Sequence, residues 1–201
     1  MKLVPKRRFR GFSGEWEKRK LGEIVSIKSG QSPSLFYSGK VMYVKVDDLN
    51  DSTREQKASQ IMVSENSKAS KVAKGSIIFP KRGAAIMTNK VRIMGDSGYM
   101  DTNMMALEVI GVDGDFLYSF IYATGLYKIA DTSTIPQINN KHIEPYMIKM
   151  PNMEEQQEIG SFFKKIDERI RIQQARLNKL EAIKQAYLHE MFPAEGESVP
   201  K

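Results

Sequence analysis

The stretch PNMEEQQEIGSFFKKIDERIRIQQARLNKLEAIKQAYLHEM, Pro151 to Met191, decides the architecture. Asn152 stands where a helix needs an N-cap, and Glu155, three residues on, is placed to bond back to the cap's amide. From there Ile159, Phe163, Ile166, Ile170, Gln173, Leu177, Leu180, Lys184, Tyr187 and Met191 alternate by four and three. That is the seven-residue repeat of a coiled-coil seam, and Gln173 and Lys184 are polar positions of the kind that fix register or partner at a cost in stability. At 1.5 Å per residue the seam runs about 50 Å, longer than a domain of this size hides, so it predicts a partner helix. A helix lying along its own domain is the alternative. Pro193 and Gly196 end the pattern, which gives a dimerisation helix over 152–192 and a tail over 193–201.

Upstream the period changes. Short apolar runs at Ile24–Ile27, Val41–Val46, Ile61–Val63, Ile77–Phe79, Ala85–Met87, Val91–Met94 and Met104–Ile110 read as strands, separated by turn pairs such as Ser29-Gly30, Ser38-Gly39, Lys74-Gly75 and Asp113-Gly114. Asp115 reads as the N-cap of a helix over 116–126 that packs Leu117, Phe120, Ile121 and Leu126 on the sheet. The class is α+β: a mainly β domain over 1–151, followed by the long coiled-coil-forming helix.

Composition excludes several functions. The chain has no Cys and two distant His, His142 and His189, so a thiolate or zinc centre is not expected and no metal ligand is assigned. No apolar run approaches 18 residues, and the basic opening lacks the apolar core of a signal peptide, so the sequence predicts a cytoplasmic protein that makes no membrane contact. The net charge of +7 is uneven: residues 1–152 carry 23 Lys+Arg against 15 Asp+Glu, and residues 153–192 carry 7 against 7. Lys68, Lys71, Lys74, Lys81, Arg82, Lys90 and Arg92 fall between Glu65 and Asp96 with no acid among them. Such clustering is the footprint of a phosphate-binding face, or of a solvated surface with acids folded beside it.

There is no Asn-Pro-Pro-aromatic methylation motif, no Gly-rich S-adenosylmethionine loop, no phosphate-binding Gly-x-x-x-x-Gly-Lys loop and no Ser-His-Asp set. Asp47-Asp48 is the one tempting carboxylate pair, and adjacent strand-end acids point apart. No catalytic residue is assigned. Val4-Pro5-Lys6 recurs as Val199-Pro200-Lys201, as if a second copy would begin where the sequence stops.

Ser133-Thr134-Ile135-Pro136-Gln137-Ile138-Asn139-Asn140-Lys141, followed by Ile148-Lys149-Met150-Pro151 and Glu154-Glu155-Gln156-Gln157-Glu158-Ile159, resembles the end of a target-recognition domain running into the spacer helix of type I restriction-modification specificity subunits. Trp16, Leu21-Gly22-Glu23-Ile24, Ser29-Gly30-Gln31-Ser32-Pro33-Ser34, Lys74-Gly75-Ser76-Ile77-Ile78 and Lys81-Arg82-Gly83 follow in the matching order. The usual member is similar to two such units in tandem; this sequence has one. The resemblance implies a non-catalytic subunit that binds double-stranded DNA and docks a methyltransferase subunit and a restriction subunit. The unpaired seam and the single unit together predict that two copies pair as an antiparallel homodimer, with the two recognition domains at opposite ends of the paired helices. S-adenosylmethionine, ATP and Mg²⁺ would sit on those partners, with no cofactor in this chain. A dimeric coiled-coil adaptor, or a truncated subunit competing for the methyltransferase, fits the same residues.

Base reading needs paired donors and acceptors on loops. Lys81 and Arg82 suit guanine; Asn89, Gln137, Asn139 and Asn140 suit adenine; Lys90, Arg92 and Lys141 suit phosphates; Gln31, Ser32 and Ser34 are further candidates after Gly30. The 135–141 loop has a competing structural role, with Pro136 setting a turn and Asn140 capping a short helix.

Overall fold

Strand Ile77–Pro80 is buried along its whole length, and its side chains alternate between two cores, as a strand covered on both faces must. Ile77 and Phe79 enter one apolar cluster with Leu21, Leu107, Leu117 and Ile121. Ile78 enters another with Val44, Leu49, Met94, Met100 and Met104. The computed structural model describes residues 4–192. In chain order its strands are β1 (Glu17–Lys20), β2 (Val25–Ser29), β3 (Ser38–Val44), β4 (Glu55–Gln56), β5 (Ile61–Val63), β6 (Ile77–Pro80), β7 (Arg92–Met94), β8 (Tyr99–Met100), β9 (Met104–Val109) and β10 (Met147–Met150). The α-helices are α1 (Gly114–Thr124), α2 (Asn140–Ile143) and α3 (Met153–Met191).

The central sheet has the order β2-β9-β6-β7-β4, beside a three-stranded sheet β5-β3-β8 and the pair β1-β10. This is the α+β class that the sequence predicts. β1 escaped the reading because its Glu-Lys-Arg-Lys is exposed at all four positions; only its antiparallel partner β10 makes it a strand.

Three local assignments need correction. Ala85–Met87 is not a strand but part of a 3-10 turn over Ala84–Thr88, entered through Gly83 at φ +79 and left through Asn89 at φ 50. Two left-handed residues that close together leave no room for a ladder. The first helix is capped by Asp113, whose Oδ1 accepts from the Phe116 amide at 2.8 Å, while Asp115 reaches Arg54 at 2.6 Å. In the 135–141 loop Asn139, not Asn140, precedes the short helix α2.

Backbone contacts divide the described residues into two units, one running through Phe163 and one starting at Lys164. In the first, Asn152 caps α3 as expected, its Oδ1 accepting from the Glu155 amide at 3.0 Å. Glu155 does not bond back to the cap; its carboxylate is 1% exposed and paired with Arg8. Gln156 ties the same turn to α1, accepting from the Asp113 amide at 3.0 Å and donating to the Pro151 carbonyl at 2.8 Å. Ile159 is half-buried against the core of this unit, so the first seam position packs on its own domain. In the second unit Ile166, Ile170, Leu177, Leu180, Tyr187 and Met191 are exposed along the helix, as are Gln173 and Lys184. Pro193, Gly196 and Val199-Pro200-Lys201 lie outside the described residues.

Candidate nucleic-acid interface

The chain leaves β6 at Pro80, and its next three residues are laced to two distant segments. The Lys81 amide donates to the Asn103 carbonyl, the Ile138 amide to the Lys81 carbonyl, and the Gly83 amide to the Pro136 carbonyl, each at 2.8 Å. Arg82 faces Gln137 in an isolated antiparallel bridge, and Gln137 is bridged on to Asp131. Gly83 permits the crossing because its φ of +79 is a conformation that side-chain-bearing residues rarely adopt. The outcome is an open cleft of ≈ 300 Å³ lined by Lys81, Arg82, Thr102, Asn103, Gln137 and Asn139. Four of these six were legible as candidates. Thr102 and Asn103 were not: they are uncharged turn residues between two strands, and nothing in their own sequence marks them.

The cleft is polar and cationic. Arg82 is exposed and, among the described residues, its guanidinium takes no intramolecular partner. Lys81 lies deeper, with Nζ 3.2 Å from Ser29 Oγ; burial holds its amine below the ordinary lysine range, against the opposing pull of the Asp101 charge. Asn140 and Lys141 are exposed in the first turn of α2, next to Asn139. The arrangement offers an exposed cation, a half-buried cation and several amides on one concave surface, a set suited to phosphates and base edges together.

Other candidates lie away from the cleft and make contacts within the fold. Arg92 is 9% exposed; its guanidinium donates to Ser52 Oγ at 2.9 Å and to the Leu49 carbonyl at 2.7 Å, so it is a brace and not a phosphate ligand. Asn89 is a left-handed corner whose amide donates to the Tyr122 carbonyl at 2.9 Å and accepts from the Leu126 amide at 2.9 Å. Lys90 meets Asn50 Oδ1. Gln31 braces the segment around Ser70, accepting from its amide at 2.7 Å. Ser32 and Ser34 bond to each other at 2.8 Å. Asp48 is buried, accepting from the Lys45 amide at 2.7 Å and the Gln60 amide at 3.0 Å, a structural carboxylate. The acid-free stretch is therefore not one block of charge: Lys71 pairs with Glu65, Arg92 is buried, and only Lys81 and Arg82 of its seven cations line the cleft.

Residues 13–182 match the family described as "Type I restriction modification DNA specificity domain". The chain belongs to this family. Solved specificity subunits share the fold of this specificity-domain chain. The HsdS subunit from Thermoanaerobacter tengcongensis aligns with a TM-score of 0.62 and 18% identity over 92% of this chain and 44% of its own. The type I restriction-modification S subunit from M. genitalium aligns with a TM-score of 0.63 and 16% identity over 95% and 48%. A chain from a structure titled for the assembly and conformational transition of the type I R-M system gives a TM-score of 0.65 and 19% identity over 89% and 44%. The specificity-domain chain thus spans less than half the length of the structures it matches. Among its described residues no helix is long and apolar enough to cross a membrane, and no group of His, Asp and Glu is placed to hold a metal ion.

Proposed function

We propose that this specificity-domain chain reads one half of a bipartite duplex DNA target through the cleft formed by Lys81, Arg82, Thr102, Asn103, Gln137 and Asn139, and does no chemistry itself. The observation that carries the reading is the backbone lacing of the Lys81–Gly83 loop to Asn103 on one side and Pro136–Ile138 on the other, which gathers cations and amides from three separate segments on one surface. Family membership supports it. Methyltransferase and restriction subunits are the proposed partners, with S-adenosylmethionine, ATP and Mg²⁺ on them.

The exposed apolar positions Ile166 to Met191 span about 40 Å of helix, enough for antiparallel pairing with a second copy. Such a dimer would bind two inverted half-sites around an unread gap. The test is a fluorescence titration of the full chain on random and selected duplexes at several salt concentrations. Binding should weaken steeply with salt, and K81A/R82A should weaken it on every sequence. Binding unchanged by K81A/R82A removes the cleft from the reading, and a chain that pairs but never binds duplex DNA is an adaptor.

A further inference from the structure

We infer that Asn103, held in one orientation by Asp101, is a base-reading residue for adenine in the half-site; this rests on the cleft being the DNA-reading surface. The turn that carries it is pinned from every side. The Asn103 carbonyl accepts from the Lys81 amide at 2.8 Å, and the turn closes on itself through the Met104 amide and the Asp101 carbonyl at 2.9 Å. Behind it, the Gly30 amide donates to the Met104 carbonyl at 3.2 Å and the Gln31 amide to the Met100 carbonyl at 2.8 Å. The approach is close enough that a Cβ on Gly30 would fall 1.7 Å from the Asp101 carbonyl oxygen, so this glycine, which the sequence marks only as a turn, is there to let the two backbones meet.

On that rigid turn the side chain is fixed as well. Asp101 Oδ1 accepts from both the backbone amide and the side-chain Nδ2 of Asn103, each at 2.9 Å. A carboxylate only accepts, so it must face the NH₂ end of the carboxamide and not its oxygen. One N–H is thereby taken. The oxygen and the second N–H remain for a ligand, on an exposed side chain that lines the cleft. An adjacent acceptor and donor complement the N6 amine and N7 of adenine in the major groove. Lys81 lines the same cleft with its Nζ 3.2 Å from Ser29 Oγ, so a cation and an oriented amide share one surface. Holding the amide in place before binding removes the entropy of ordering it in the complex.

The experiment is selection from a randomised duplex library, followed by titration on the selected half-site and its single-base variants, with wild type, N103A, D101N and K81A/R82A. Circular dichroism and melting check folding, which an exposed side chain such as Asn103 should leave intact. N103A should lose discrimination at one A·T pair by roughly 10- to 100-fold, keeping the salt dependence of wild type. D101N should lose part of the discrimination at the same pair, because an amide no longer dictates which end of Asn103 faces it. N103A with unchanged preference at every pair overturns the inference, while a uniform loss in K81A/R82A would show that the cleft still binds DNA. If K81A/R82A is also without effect, or wild type binds no duplex, the reading of the cleft falls and this inference with it.

Discussion

The guanidinium of Arg8 holds the carboxylate of Glu155 in a two-pronged ion pair, Nε to Oε1 at 2.8 Å and Nη2 to Oε2 at 2.6 Å, across 147 residues of chain. Its remaining donors reach the Ser13 and Gly14 carbonyls at 2.8 and 2.7 Å, and Phe9 meets Phe162 edge-on at 5.4 Å. The N-terminal segment therefore closes over the first turns of α3. R8A strands a carboxylate that is 1% exposed, and should lower stability by about 3–5 kcal/mol in denaturant unfolding. A loss under 1 kcal/mol would mean that water reaches Glu155 readily.

Helix propensity alone says that Gly to Ala inside a helix stabilises by about 1 kcal/mol. At Gly160 the sign reverses. An added Cβ would lie 2.4 Å from Asp113 Oδ1 and 2.7 Å from the Phe116 amide, the two atoms of the α1 cap. G160A should cost about 1–3 kcal/mol by forcing α3 away from α1, measured as a fall in melting temperature.

Arg82 and Arg92 separate binding from folding. R92A leaves the Leu49 carbonyl and Ser52 hydroxyl without their charged donor and should destabilise by roughly 2–4 kcal/mol. R82A should leave stability within about 0.5 kcal/mol of wild type while weakening DNA binding. Equal melting temperatures for the two variants would contradict the geometry.

Lys81 gives a pH signature. Burial lowers its pKa, so the free protein sheds this proton at lower pH than an ordinary lysine. Affinity for DNA that depends on the charge is complete below that lowered pKa and declines as pH rises through it, while Lys81 in the bound state is still protonated. K81R keeps its charge and should hold affinity further into the alkaline range; identical pH profiles for wild type and K81R would exclude Lys81 from phosphate or base contact.

Pairing is tested on the seam beyond Phe163. Asn at both Ile166 and Ile170, which are exposed in the structure, should convert dimer to monomer in light scattering without altering the melting of the recognition unit. Deleting one heptad should change the preferred gap between half-sites and leave each half-site sequence alone. A monomer at every working concentration, alone or with a methyltransferase subunit, sinks the antiparallel dimer.

Local chemistry was legible in the sequence. The Asn152 cap, the four-three spacing from Phe163 to Met191, the run Ile77–Phe79 and the turn pairs depend on residues within a few positions of each other, and those patterns give α3, β6 and the α+β class directly. What the tertiary structure alone decided is which polar residues are free to act. Arg82 and Arg92 differ little in sequence, both within the acid-free stretch, yet one lines the cleft and the other is folded onto the Leu49 carbonyl. Glu155 had the spacing of a capping box and was taken instead by Arg8, 147 residues away; Ile159 had the spacing of a seam and packs on its own domain. Asn103 had no spacing to show at all. Its place comes from backbone hydrogen bonds between segments far apart in sequence, and composition, charge and periodicity carry no record of such pairings because each is a property of a local window.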